Sequence, residues 1–287
     1  MIPDPFTAPL PEAVRATLGR KERLHVEVAR FMNREPMKAF WTLGQRLYGA
    51  SLVNLVMRGR IADTGWHHVE EAWSRGAILF VANHRTYFDM FVVSTLLHRR
   101  LPGRKRLYFP VLGQFYYQTL RGMALNQLFA MWSMFPPLFA LPSHAASDAY
   151  ALDVLTALCA RGPGHVIGIH PEGARNLDED EYSFLRCQPG TGRIIHAARP
   201  IVIPVYVAGM HASVPVQLRR AWREGKSARV RFGAPVDLAE HYALPAKGST
   251  YKRIVDAVMG RVRELAEEDR EEAEGRRLGA DGRRQTG

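Results

Sequence analysis

The sequence predicts an α/β fold: a mixed central sheet flanked by helices, with further helices in front of it at the N-terminus. Three observations carry this prediction. From about residue 77 onward, short apolar runs of strand length alternate with stretches of helical periodicity. The segment before them shows helical periodicity only. The chain has 287 residues, 47% hydrophobic and 23% charged, enough to bury a core without crosslinks and outside the disordered, collagen-like and coiled-coil classes. Its two cysteines, Cys159 and Cys187, have no paired spacing, which excludes a disulfide framework and a cysteine-based zinc site and suits a reducing compartment.

Taken in order, residues 1–59 form an N-terminal helical segment. Apolar periodicity marks helices over Glu12–Met32 and Met37–Met57, parted by Pro36. The second sets Phe40, Trp41, Leu43, Leu47, Tyr48, Leu52, Leu55 and Val56 among Lys38, Arg46 and Arg58, a pattern suited to capping a core or to lying on a membrane. The opening MIPDPFTAPLPE has no basic start followed by an apolar run, so a cleaved signal peptide is not expected. Residues 60–266 form the α/β domain. Ala77–Ala82 reads as a buried strand, Phe88–Leu97 as a helix, Leu107–Leu112 as a second strand and Ser147–Ala160 as a helix. Strands His165–Ile169, Ile201–Val207 and Ala228–Phe232 follow, then a closing helix from Tyr251 to about Ala266. Gly122–Pro142 carries no charge, but Asn126, Gln127, Ser133 and Pro136–Pro137 argue against a membrane span. An interfacial segment, the wall of an apolar tunnel and a Met-rich core helix all fit it. Residues 267–287 are charged and nearly free of large apolar side chains, so a disordered tail is expected.

Lys and Arg number 39 against 28 Asp and Glu, a formal charge of +11 that favours polyanionic partners: nucleic acid, an anionic membrane or phosphorylated substrates. No nucleic-acid-binding motif is present, so nucleic acid is the least favoured of these. The stretch Arg99–Arg106 and the basic region 181–235 are the candidate anion-facing surfaces.

Two strand ends carry chemistry. Ala77–Ala82 runs into Asn83-His84-Arg85-Thr86-Tyr87-Phe88-Asp89, which places His84 at the carboxyl end of a strand and Asp89 in the first turn of the next helix. Ligands bind at that edge of an open α/β sheet. A carboxylate returning to one ring nitrogen sets the tautomer and leaves the other nitrogen as a base. The competing reading makes Asp89 a capping-box residue with Thr86, and with 11 histidines in the chain the pair alone is a weak signal. No serine in a nucleophile elbow accompanies it, so the activated group belongs to the substrate. The second strand, His165–Ile169, ends in His170-Pro171-Glu172-Gly173-Ala174-Arg175-Asn176, where Gly173 permits close backbone approach and Arg175 offers a donor fork for phosphate. A commonplace polar turn explains this loop as well when it is taken singly.

Together, NHRTYFD (83–89), HPEGARN (170–176) and IVIPVYV (201–207) resemble, in order and spacing, the conserved blocks of the glycerolipid acyltransferases. The resemblance covers about residues 60–235 and implies a single acyltransferase-type domain. It also implies that His84 is the general base, that Asp89 orients it, that Glu172, Gly173 and Arg175 hold the acceptor phosphate, and that Pro204 shapes the apolar block. The segment Leu185–Arg193 resembles the family's basic, Gly-containing stretch, which adds Arg193 to the substrate-binding set. The chain departs from the pattern where an expected Phe-x-x-Arg block reads Leu138-Phe139-Ala140-Leu141-Pro142, where His170 replaces a Phe, and where Ala174 replaces a Thr.

The implied reaction moves a fatty acyl group from acyl-coenzyme A or acyl carrier protein to the hydroxyl of a lyso-phospholipid such as 1-acylglycerol-3-phosphate, with no metal and no bound cofactor. The expected partners are the lyso-lipid, the acyl thioester, an anionic membrane surface and an acyl carrier protein. The expected location is peripheral or monotopic on the cytoplasmic side of the cell membrane. The missing arginine block keeps a non-phosphate lyso-lipid acceptor open. A lipid hydrolase built on the same dyad and a non-catalytic basic protein binding membrane or nucleic acid are the readings from other classes.

Overall fold

The computed structural model describes residues 4–103 and 105–285, with side chains up to residue 275. Arg104 of the basic stretch and the final part of the charged tail therefore fall wholly or partly outside the described residues. Seven strands form one sheet: β1 (Ile61–Thr64), β2 (Ile78–Ala82), β3 (Arg106–Leu112), β4 (Met134–Leu138), β5 (His165–Ile169), β6 (Ile201–Ala208) and β7 (Ala228–Phe232). Their spatial order is β1-β7-β6-β2-β5-β3-β4. Every pairing is parallel except β6 with β7, so the sheet is mixed, as the sequence predicts.

The middle of the sheet sets the site. All five residues of β2 are buried, as a strand covered on both faces requires. Leu79 and Val81 enter one apolar cluster, with helices Ala145–Cys159, Gly190–Ala198 and Gly248–Gln285. Ile78, Phe80 and Ala82 enter the other, beneath helices Trp66–Trp73 and Asp89–Arg100. The period-two alternation of side chains divides the core in this way. β2 lies between β5 and β6, with Val81 opposite Ile169 on one side and Pro204 on the other. The chain leaves the three strands at one edge, where the motif loops follow.

Several elements differ from the sequence reading. The first helix breaks at Leu18–Gly19 into Glu12–Thr17 and Arg20–Met32. Met37–Val56 is continuous through a π turn at Gln45–Gly49. The N-terminal segment shares the main core, since Phe6, Leu10, Val14, Val26 and Ala29 belong to the same apolar cluster as Leu79 and Val81. The uncharged Gly122–Pro142 is no single helix. It contains the end of helix Leu120–Leu125, a π turn at Asn126–Ala130 and the edge strand β4, where Pro136 and Pro137 cost little because only one side is paired. The closing helix runs over Gly248–Gln285 and does not stop at Ala266. The expected tail is corrected over its described part: Asp269 is fully buried and bonds to Arg229 and Arg231 of β7. Its two arginine partners dock this part of the helix on the sheet, and leaving either charge buried without the other would be costly.

Candidate active site

The loop after β2 closes on a single carboxylate. Asp89 is fully buried at the first position of its helix, and His84 Nδ1 lies 2.9 Å from its Oδ2. The backbone N–H groups of Arg85 and Thr86 donate to Oδ2 at 2.8 and 2.9 Å, and Thr86 Oγ1 donates to Oδ1 at 2.6 Å. Burial alone would raise the Asp89 pKa, but the bonds from His84 and Thr86 and the attraction of the nearby imidazoles overcome it and hold the carboxyl below its ordinary range. An ionised Asp89 accepts only, so Nδ1 of His84 carries the proton and Nε2 keeps its lone pair. The His84 side chain is 23% exposed and Nε2 has no partner among the described residues. The capping box is not formed, because the helix starts at Asp89 itself with Phe88 at the cap position and no side-chain cap; the carboxylate instead holds the loop N–H groups and the imidazole.

The loop after β5 locks onto this one. Asn176 N–H donates to the His84 carbonyl at 2.7 Å. Glu172, also buried, accepts from His84 N–H at 3.1 Å through Oε1 and from Leu185 N–H at 2.9 Å through Oε2. Its carboxylate therefore joins three loop segments, and both oxygens are committed to the backbone. Burial pushes its pKa up, against those two bonds. Gly173 turns the loop at φ +69°, a left-handed conformation that glycine adopts freely. Arg175 lays its guanidinium 3.9 Å from the ring centroid of Tyr87 and forms no ion pair among the described residues, so its charge is available to a ligand. Asn83 completes the frame by exchanging bonds with Val207 of β6 at 2.8 and 2.9 Å.

His170 stacks on His84, ring centroids 4.0 Å apart and planes 9° from parallel. Its Nδ1 donates to the Ala82 carbonyl at 3.1 Å, and burial, then repulsion from His84, keeps it neutral by lowering its pKa to about 3. Donor atoms of His84, Asp89 and His170 lie within 4.8 Å of one another. Stacked rings hold their nitrogen lone pairs in separate, nearly parallel planes, and Asp89 is already engaged by its four donors. The trio fits a base and its support better than a metal centre.

Not every residue carried over by resemblance reaches the cleft. Arg193 lies on helix Gly190–Ala198, paired at 2.6 Å with Asp153 on an exposed flank. Pro204 is buried in mid-β6 against Gly233, where an added Cβ would come within 2.7 Å of the proline ring. In the stretch Arg99–Arg106, Arg99 bonds to Asn54 and Arg100 to Asp63 at the surface, and Arg106 pairs with Glu35. Cys187 is buried, and burial with the Glu172 charge pushes its thiol up to about 11, which excludes a thiolate nucleophile at neutral pH. The sequence reading missed the linking roles of Glu172 and Asn176, because backbone N–H groups brought close in space leave no mark in residue spacing.

With this geometry in view, the comparisons are specific. The family model described as Acyltransferase matches residues 60–208, a span that begins just before β1, ends with β6 and contains both loops. Tafazzin of Drosophila melanogaster is 36% identical over 77 residues, which cover 26% of this chain and 20% of the fly protein. The chain thus spans about a fifth of the length of that curated relative. The family match takes in more than half of the chain and the whole frame that holds His84 against Asp89, and on that ground the chain belongs to the acyltransferase family.

Proposed function

We propose that the protein transfers a fatty acyl group from an acyl thioester, acyl-coenzyme A or acyl carrier protein, to the hydroxyl of a lyso-phospholipid. The single observation that carries the reading is the free Nε2 of His84, with its Nδ1 proton held by a buried, ionised Asp89. The acceptor hydroxyl gives its proton to Nε2 as its oxygen attacks the thioester carbonyl. The resulting imidazolium faces Asp89, whose negative charge stabilises it. The tetrahedral intermediate then expels the thiolate, which takes the proton back from Nε2, so the base is regenerated. A positioned base supplies on the order of 10²–10⁴-fold, and the remainder comes from holding the reactants in line. Arg175, unpaired beside Tyr87, is suited to a phosphate on either substrate.

A membrane surface is the proposed working location, approached from the cytoplasmic side. Phe40, Leu43 and Leu47 on the N-terminal helices are 60%, 52% and 64% exposed, with Leu128 and Phe129 also open. Apolar side chains grouped in this way favour interfacial binding. Among the described residues no helix is long and apolar enough to cross a membrane.

The test follows free thiol and lipid product with acyl-coenzyme A and a panel of lyso-lipids. The wild type is expected to release thiol and form diacyl product, and His84→Ala to lose at least about 10²-fold. Unchanged thiol release by His84→Ala would overturn the assignment. Free fatty acid as the sole acyl product would mark a hydrolase.

A further inference from the structure

A cleft of about 620 Å³ opens on the β6 side of the dyad. Thr86 and Asp89 form part of its wall, which places it beside the loop that carries His84. Arg85, Arg220 and the acidic run Asp178–Glu181 supply its charge. Arg220 extends from helix Val214–Trp222, and its Nε is shielded from solvent with no acceptor among the described residues. A guanidinium cannot shed its proton to escape that cost, so an unmet donor on a permanent cation calls for an anion. Arg85 bonds to the Asp178 carbonyl and Ser183 Oγ, and neither arginine forms an ion pair among the described residues. The loop Asp178–Glu181, which Arg85 touches, brings the complementary charge to the same cleft. Glu181 is engaged by Arg229, whereas Asp178, Glu179 and Asp180 pair with no Lys or Arg among the described residues.

We infer that this cleft holds the polar head group of the acyl acceptor, a phosphodiester bearing an ammonium, with the phosphate at Arg220 and Arg85 and the ammonium at the Glu179 wall. The inference rests on the lyso-lipid reading above and narrows it. An arginine in this cleft supplies the phosphate contact for which the sequence shows no Phe-x-x-Arg block. Arg175, on the Tyr87 flank, is then left for the phosphates of the acyl donor.

The test titrates sn-glycero-3-phosphoethanolamine, glycerol 3-phosphate and coenzyme A separately into the full-length protein by calorimetry, and measures acceptor and donor KM with lysophosphatidylethanolamine and acyl-coenzyme A. Arg220→Gln is expected to weaken both glycerophosphates about tenfold, the scale of one charged hydrogen bond, with Arg220→Lys recovering part of the loss. Glu179→Gln is expected to weaken only the ammonium-bearing compound, by about threefold, as an exposed ion pair would. Circular dichroism establishes that each variant is folded. The inference is overturned if the wild type shows no saturable glycerophosphoethanolamine binding, if folded Arg220→Gln binds it as tightly as wild type, or if the loss falls on coenzyme A alone. Binding needs no turnover, so the two readings separate. Head-group binding through Arg220 without acyl transfer to any lyso-lipid would sink the transferase reading and spare the cleft. Transfer with an acceptor KM unmoved by Arg220→Gln would do the reverse.

Discussion

Asp89 is the residue on which the loop geometry depends and, in the proposed reaction, the chemistry as well. An amide in its place keeps the shape, but it turns one acceptor oxygen into a donor facing the N–H groups of Arg85 and Thr86. Asp89→Asn is therefore expected to lower kcat by about 10²–10³-fold with little change in KM, because the wrong His84 tautomer is favoured and the imidazolium loses its counter-charge. Steady-state kinetics check this, and a variant within twofold of wild type would separate Asp89 from catalysis. His84, Asp89 and the arginine-bearing turn were legible in the sequence because strand ends and short loop spacings are local. Glu172 was legible as a site residue but its role was not, because its carboxylate serves the backbone of His84 and Leu185. No residue type signals that use, since any buried carboxylate can accept two N–H bonds.

At the scale of elements, the closing helix shows where composition misleads. Residues beyond Ala266 are nearly free of large apolar side chains, yet Asp269 places its carboxylate between Arg229 and Arg231, with Glu181 and Glu272 at the rim of the same cluster. Pairing with both arginines outweighs burial and holds the Asp269 pKa below its ordinary range. Asp269→Ala leaves two arginines short of their shared partner and is expected to cost about 3 kcal/mol, the low end for a broken buried pair because Glu181 and Glu272 remain. Urea unfolding measures it, and a chain ended after Ala266 should lose as much. If that shortened chain unfolds at the same urea concentration as the full one, the helix end contributes nothing. The cluster has a second consequence, because Glu181 also accepts from Gly209 N–H and so ties the acidic loop to the end of β6. β1 and β4 escaped the sequence reading for related reasons: β1 has only four residues, and β4 carries two prolines that its edge position accommodates.

For the whole molecule, the balance of buried imidazoles sets the response to pH. Burial, with the Lys105 charge, lowers the His98 pKa to about 4, and burial with the His84 neighbour lowers that of His170 to about 3, from an ordinary 6.5. Below pH 6.5 the unfolded chain takes up these protons while the folded chain refuses them, so stability falls as the pH drops towards 4. Each histidine contributes a slope of about 1.4 kcal/mol per pH unit in that window. Asp89 adds a loss at lower pH still, since its depressed carboxyl stabilises the fold only while ionised. Urea midpoints at pH 7 and pH 5 are expected to differ accordingly, and equal midpoints would refute the neutral burial of His98 and His170. The exposed apolar side chains on the N-terminal helices make a separate prediction. Leu47→Asp, at a 64% exposed position, should reduce sedimentation with anionic vesicles while leaving the unfolding curve within about 0.5 kcal/mol. Unchanged sedimentation would remove this face from the proposed membrane contact.

The sequence by itself determined the α/β class, the alternation of buried strands with helices, the meeting of His84 with Asp89, and the family resemblance. Each of these depends on neighbours a few residues apart, where periodicity and short spacing are physical constraints. Tertiary structure alone decided the strand order that sets β2 between β5 and β6, the stacking of His170 on His84, the withdrawal of Arg193 and Pro204 from the site, and the cleft lined by Arg220. Those depend on which distant segments meet, and that is settled by the packing of two faces of one sheet, a property of the whole chain that no local window contains.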